Sequence, residues 1–233
     1  MQTENGNENN PQKSEIAEYK GPRIKVCGMT KIDQLHQLGD MNIQFAGLIF
    51  YPGSPRFALN HLKGDEVKKE KFKVFKIGVF VNASYEEILK QVDAFGLDMV
   101  QLHGDETPYF CERVSGYVSV IKAFRFIEND HLDWILKDYY ADSDMFLFDT
   151  ASKLYGGSGK KFNWRKLIGK RIDKPFLLSG GIAPGDAPLI KRFQKDNVAK
   201  DLFAIDINSC FETEPGIKNM AAINQFIKEL NDE

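Results

Sequence analysis

The chain has 233 residues, of which 42% are apolar and 27% charged, and its formal net charge at pH 7 is −2. This balance is typical of a globular protein of one or two domains and lacks the basic excess that attracts nucleic acid. No apolar run is long enough to span a bilayer and no signal-peptide pattern is present, so we expect no membrane partner and a cytoplasmic location. The three cysteines are too few and too scattered for a disulfide framework or a zinc site.

The first 20 residues are rich in Asn, Gln, Glu and Lys and contain almost nothing to bury. They predict a disordered amino-terminal tail over residues 1–20. We expect the remaining residues, 21–233, to form one domain.

Strand and helix patterns alternate along that domain. Apolar runs between turn signals predict eight strands, at residues 23–30, 45–51, 74–81, 98–104, 118–126, 145–150, 175–181 and 202–208. Helical spacing and helix-start signals predict helices at residues 31–40, 85–95, 130–140, 163–169, 184–194 and 218–230. A further helix is predicted to begin near residues 107–108. Eight strands alternating with helices predict an α/β fold, a single (β/α)8 TIM barrel. An open doubly wound sheet is the alternative, although no G-x-G-x-x-G loop follows the first strand.

The first strand carries a lysine and a cysteine two residues apart. Alternate side chains of a strand share a face, so Lys25 and Cys27 point one way while Ile24 and Val26 point the other. A thiol and an ammonium on one face at the end of a strand indicate chemistry. The alternative is that Cys27 is a small buried apolar residue, which is a common environment for a free cysteine.

Further reactive residues fall where strands end. Cys27 ends the first strand and Arg56 follows the second, while His103, Asp149 and Asp206 end the fourth, sixth and eighth. The carboxyl ends of the strands form the rim at which such barrels hold their active sites. Each residue also has an ordinary interpretation: a surface cation for the arginine, a satisfied core residue for the histidine, a turn or helix cap for each aspartate.

Strand alternation favours an active-site position for Asp149. Leu147 and Asp149 share one face of their strand, and Phe146 and Phe148 share the other, which suits the apolar layer between barrel and helices. Asp149 is therefore predicted to point into the barrel mouth. Partial burial there raises the pKa of a carboxyl group toward the range useful for acid or base work.

Two turns predict a phosphorylated small-molecule substrate. Ser179, Gly180 and Gly181 follow the seventh strand, and Ser209 and Cys210 follow the eighth. Glycine lets backbone N–H groups approach an anion closely, and the loops after strands seven and eight often bind phosphate in this fold.

These segments resemble those of the phosphoribosylanthranilate isomerase family of tryptophan biosynthesis, from residue 23 to the carboxyl terminus. The segments that carry the resemblance are KVCGMT at 25–30, FYPGSPR at 50–56, QLHGDE at 101–106, FDT at 148–150 with GGSGK at 156–160 and FNW at 162–164, LSGGI at 178–182, and IDINS at 205–209 leading to PGIK at 215–218.

The resemblance implies an Amadori rearrangement of N-(5-phosphoribosyl)anthranilate to 1-(2-carboxyphenylamino)-1-deoxyribulose 5-phosphate, without metal or organic cofactor. It implies that Cys27 is the general base and Asp149 the general acid. We expect Lys25, on the same face as Cys27, to favour the thiolate.

The resemblance also assigns the binding residues. Arg56 matches the arginine that meets the anthranilate carboxylate, for which a guanidinium fork is suited. His103 and Asp206 match positions that line the same pocket. The phosphate loops are matched by Gly180, Gly181, Ser209 and Cys210.

One residue departs from the family pattern. Where the family usually has glycine after Ser209, this chain has Cys210, whose Cβ disfavours positive φ and crowds an approaching phosphate. The departure is the only support for a catalytically silent barrel that binds a sugar phosphate or a protein. Other phosphate-binding barrel enzymes, such as ribulose-phosphate epimerase or indoleglycerol-phosphate synthase, differ in their acid and base residues. The sequence leaves open the oligomeric state and whether an aminoaldose of histidine biosynthesis is also accepted.

Overall fold

The computed structural model of the protein describes residues 22–126, 132–150 and 164–232. The predicted tail at 1–20 and the GGSG run at 156–159 lie outside the described residues. So do the first residues of the helices predicted at 130–140 and 163–169.

Eight parallel strands form a closed barrel in chain order. They are β1 (Arg23–Cys27), β2 (Phe45–Ile49), β3 (Phe75–Phe80), β4 (Met99–Leu102), β5 (Ser119–Phe126), β6 (Met145–Thr150), β7 (Phe176–Leu178) and β8 (Leu202–Ile207). Each lies within its predicted range. Because β8 pairs with β1, the barrel prediction is confirmed and the open sheet is excluded.

Helices follow most of the strands. They are α1 (Ile32–Asp40), α2 (Gly64–Lys69), α3 (Tyr85–Phe95), α4 (Pro108–Ser115), α5 (Leu132–Lys137), α6 (Ala187–Phe193) and α7 (Met220–Asn231). No described helix combines the length and apolarity needed to cross a membrane.

Two helix predictions need correction. The stretch predicted as a helix at 163–169 holds a short 3-10 helix at Trp164–Leu167, and a further 3-10 turn, Pro184–Asp186, precedes α6. Helix α2 was not predicted, because its six residues bury only Val67 and so carry almost no apolar periodicity.

A short hairpin follows β8. A 3-10 turn at Ser209–Phe211 leads into the antiparallel strands β9 (Glu212–Glu214) and β10 (Ile217–Lys218). Glu212 and Lys218 are partners in its register. This hairpin brings both charged side chains to the carboxyl-end rim of the barrel.

The core has two layers, as strand alternation predicts. Phe146 and Phe148 belong to the outer layer between strands and helices, with Ile24 and Val26, whereas Leu147 belongs to the inner layer. The inner layer consists of Phe45, Ile77, Ile121, Ala123, Leu147, Leu177 and Ala204. The barrel interior is thus filled below the rim, so that ligands have access from the rim.

A buried ion pair supports the loop that carries His103. The Lys122 ammonium lies 2.6 Å from the Glu106 carboxylate, and both side chains are 3% exposed. Glu106 also accepts hydrogen bonds from the backbone N–H groups of Gly104 and Asn82. One carboxylate therefore ties together the ends of β3, β4 and β5.

Glu106→Gln should lower the free energy of unfolding by about 3–5 kcal/mol, because the Lys122 charge would stay buried without its partner. Urea denaturation followed by circular dichroism measures the change. The control is Glu66→Gln in the exposed Lys63–Glu66 pair, where solvent screens the charges and no measurable change is expected. A loss below about 1 kcal/mol for Glu106→Gln would contradict this assignment.

Candidate active site

Lys25 and Cys27 share the inward face of β1, opposite Ile24 and Val26, as predicted. Cys27 is 5% exposed and packs with Ile49 and Val79. Lys25 is fully buried, and its Nζ donates a hydrogen bond to Asp206 Oδ1 at 2.9 Å. Lys25 and Asp206 are also partners in the β1–β8 register. The ion pair therefore spans the seam where the barrel closes, beside the thiol.

Opposing charges act on the Cys27 thiol. Burial raises its pKa above the ordinary value, the Lys25 ammonium counteracts that rise, and the Asp206 carboxylate adds to it. The effect of Lys25 therefore has the predicted sign, but burial outweighs it. Burial alone would lower the pKa of Lys25, yet Asp206 and Cys27 hold that pKa above its ordinary value, so the cation is retained.

A second group of polar side chains, connected by hydrogen bonds, lies at the carboxyl ends of β4 and β6. His103 Nε2 is 3.2 Å from Asp149 Oδ2, which confirms that Asp149 points inward. On the other side of the ring, the Gln101 Nε2 amide lies 2.9 Å from His103 Nδ1. With the amide donating to Nδ1, a neutral ring carries its proton on Nε2, toward Asp149.

Gln101 is suited to both protonation states of that histidine. Its side chain is fully buried, and its Oε1 has no hydrogen-bond partner among the described residues. An amide flip would present Oε1 to an Nδ1–H, so the imidazolium form of His103 can also be satisfied. The Gln101 amide can therefore pair with His103 Nδ1 either as a donor or, after a flip, as an acceptor.

Arg56 is a buried member of a charge cluster and not a surface cation. Its side chain is 9% exposed, and its guanidinium grips the Glu212 carboxylate, with Nε 2.8 Å from Oε1 and Nη2 2.5 Å from Oε2. Lys218 joins the cluster, its Nζ lying 2.6 Å from Glu212 Oε1 and 2.8 Å from Asn208 Oδ1. We call these three charged residues the Arg56–Glu212–Lys218 cluster.

Sequence reasoning missed Glu212 as a site residue, and named Lys218 only within the PGIK segment. Burial alone would raise the pKa of the Glu212 carboxyl, but Arg56 and Lys218 hold it below its ordinary value, so the carboxylate stays charged. A signal for the pair was present in the sequence. Pro215 and Gly216 separate two short runs with β-hairpin character, and a hairpin there would have paired Glu212 with Lys218.

Two turns lie side by side at the rim after β7 and β8. Gly180 and Gly181 have φ values of 95° and 65°, a backbone region that favours glycine. Cys210 lies in the 3-10 turn after β8 and is not among the described residues with positive φ, so its Cβ causes no strain of that kind. Its side chain packs against the outer core layer.

A concavity of the described structure lies away from these residues. It has a volume of about 460 Å³ and is lined by Lys170, Arg171, Lys200 and their neighbours, which precede β7 and β8. None of the candidate site residues lines it. It therefore lies at the opposite end of the barrel from the thiol.

Comparison with known proteins gives consistent matches. Residues 24–229 match the family model described as N-(5'-phosphoribosyl)anthranilate (PRA) isomerase. A relative of that name from Phocaeicola vulgatus is 40% identical over 211 residues, which cover 90% of this chain and 98% of the relative. A crystal structure of phosphoribosyl anthranilate isomerase from Thermotoga maritima superposes with a TM-score of 0.76 at 30% identity, covering 90% of this chain and 98% of that one. Another crystal structure, an isomerase in complex with reduced 1-(o-carboxyphenylamino)-1-deoxyribulose 5-phosphate, gives 0.72 at 27% identity with the same coverage.

Removing either member of the seam ion pair should shift the pKa of the Cys27 thiol, in opposite directions. Lys25→Met removes the cation that lowers this pKa and should raise it, whereas Asp206→Asn removes an anion that raises it and should lower it. The measurement is the rate of iodoacetamide alkylation of Cys27 against pH, followed by mass spectrometry. Cys111, buried in the outer layer, is the internal control and should keep one curve in all variants. Shifts of the same sign in both variants would contradict this electrostatic account.

Proposed function

The chain belongs to the N-(5'-phosphoribosyl)anthranilate isomerase family of tryptophan biosynthesis, and we propose that Cys27 and Asp149 carry out the rearrangement as general base and general acid. The observation that carries this proposal is their placement. Both lie on inward faces at the carboxyl ends of barrel strands, and each has an ionisable partner, Lys25 for the thiol and His103 for the carboxyl. An acid and a base at one barrel mouth are what an aldose–ketose rearrangement requires.

In the first step, protonated Asp149 donates its proton to the ribose ring oxygen. The bond from C1 to that oxygen breaks, the nitrogen lone pair forms a C1=N bond, and the ring opens to a Schiff base. Asp149 is left as a carboxylate. The Nε2–H of His103, 3.2 Å away, stabilises that carboxylate by a hydrogen bond.

In the second step, the Cys27 thiolate takes the proton from C2. The electrons of the C2–H bond form a C1=C2 bond, and those of the C1=N bond return to nitrogen, which gives an enolamine. The enolamine then loses the proton on its C2 oxygen and gains one at C1, which gives the ketone. Burial reduces the thiolate population at neutral pH but makes the thiolate a stronger base, and Lys25 limits the first effect.

The remaining proposed roles concern binding. Arg56 receives the anthranilate carboxylate, and Gly180, Gly181, Ser209 and Cys210 hold the phosphate by backbone and hydroxyl groups. Lys25, His103 and Asp206 line the pocket between them. A phosphorylated ligand with a ring carboxylate in a 27% identical relative supports this arrangement. The proposed reaction uses neither metal nor organic cofactor.

The purified chain should consume phosphoribosylanthranilate, measured as loss of the substrate's fluorescence. Cys27→Ala and Asp149→Ala should each lower kcat by about 10²–10⁴-fold, the usual contribution of a positioned acid or base. Cys111→Ala is the matched control, because it removes a buried thiol outside the barrel and should leave kcat unchanged.

An inactive but well-folded parent would contradict the activity and favour the silent barrel. An active parent whose Cys27→Ala and Asp149→Ala variants retain kcat within about tenfold would contradict the residue assignment alone.

A further inference from the structure

Glu212 occupies only one edge of the Arg56 guanidinium. A guanidinium offers two pairs of parallel N–H groups, one along Nε and Nη2 and one along Nη1 and Nη2. Glu212 takes the first pair, with contacts of 2.8 and 2.5 Å. No described residue accepts a hydrogen bond from Nη1. The end-on edge of Arg56 is therefore left for a second carboxylate.

The arginine lies beside the thiol. A Cβ placed on Gly28, the residue after Cys27, would lie 2.6 Å from Arg56 Cδ, so the arginine stem passes directly over that glycine. Glycine at position 28, with φ of 77°, makes this close approach possible. A carboxylate bound to Arg56 would thus be held next to the base.

Glu212 is itself held in place. Its Oε1 accepts hydrogen bonds from Lys218 Nζ at 2.6 Å and from the Gly216 backbone N–H at 3.1 Å, in addition to Arg56. Three hydrogen bonds fix its hairpin to the barrel. The Thr30 hydroxyl donates to Gly216 O at 2.6 Å, Gln34 Nε2 donates to Lys218 O at 2.7 Å, and the Lys218 backbone N–H donates to Gln34 Oε1 at 3.0 Å. Five hydrogen bonds from three residues thus hold this carboxylate in one orientation.

The charges of the cluster do not balance. Arg56 and Lys218 are two cations, Glu212 is one anion, and the side chains of all three are less than 10% exposed. Burial lowers the pKa of Lys218, and Glu212 opposes that effect. With Lys218 charged, the three side chains sum to a formal charge of +1, which a single carboxylate from a ligand would balance.

We propose that Glu212 is a positioning residue that fixes the Arg56 guanidinium, so that its end-on edge receives the carboxylate of the substrate, and that Lys218 holds Glu212 in that orientation. This inference rests on the proposed role of Arg56. It assigns selectivity for a carboxylated aromatic amine to a hairpin residue that does not itself touch the substrate.

The experiment compares two ligands that differ by one group. One is reduced 1-(2-carboxyphenylamino)-1-deoxyribulose 5-phosphate and the other is the same compound with hydrogen in place of the carboxyl group. Both dissociation constants are measured by calorimetry. The constant of the ligand without the carboxyl group, divided by that of the carboxylated ligand, reports the carboxylate interaction alone. Glu212→Gln should shrink this ratio by about tenfold or more, because the loss of one charged acceptor releases the guanidinium.

Arg56→Met and the double variant Arg56→Met/Glu212→Gln complete a cycle. Arg56→Met should bring the ratio of dissociation constants close to one, because the carboxylate interaction is lost. Adding Glu212→Gln should change the ratio no further, because Glu212 acts through Arg56. A merely structural role for Glu212 would weaken both ligands equally and leave the ratio unchanged, which would overturn the inference. If Arg56→Met also left the ratio unchanged, the proposed carboxylate site itself would be wrong, and the two failures are thereby distinguished.

A second variant covers the case in which Glu212→Gln does not fold. Glu212→Gln/Lys218→Met removes one charge of each sign and so keeps the net charge of the cluster. It should shrink the ligand ratio as Glu212→Gln does. A ratio equal to that of the parent in this folded variant would also overturn the inference.

Discussion

The ion pair between Lys25 and Asp206 is the contact on which the barrel mouth depends. It bridges β1 and β8, the strands whose pairing closes the barrel, and both side chains are at most 5% exposed. Each charge needs the other, because an unpaired buried ion costs several kcal/mol. The same pair sets the field at Cys27, since Lys25 lowers the pKa of that thiol and Asp206 raises it. Barrel closure and the proposed base are thus physically coupled.

Three other ion pairs lie at the mouth. His103 lies against Asp149, Lys122 against Glu106, and Arg56 against Glu212. These contacts pre-position the charges that the rearrangement requires, which reduces the cost of reorganising them during reaction. The cluster around Arg56 differs from the others in having one formal cation in excess, and we propose that the carboxylate of the substrate balances it.

The fold could be predicted from the sequence, and so could the site residues that lie on the strands themselves. Alternation of side chains along a strand is a local property, so the eight apolar runs predicted the strands. The same alternation correctly placed Lys25 and Cys27 on one face and turned Asp149 inward. Glu212 was missed because its contact with Arg56 joins residues 156 positions apart through a hairpin, which local patterns do not report. The backbone strain expected at Cys210 assumed a positive φ, whereas this residue lies in a 3-10 turn and is not among the described residues with positive φ. Crowding of the phosphate by its Cβ stays a prediction.

The most direct test of the account compares two pH titrations of the parent enzyme. One is the alkylation rate of Cys27 and the other is kcat/KM for phosphoribosylanthranilate, whose rising limb reports the essential base of the free enzyme. The account predicts the same apparent pKa in both, above that of an ordinary cysteine because burial raises it. A rising limb whose pKa differs from that of the thiol would show that Cys27 is not the base.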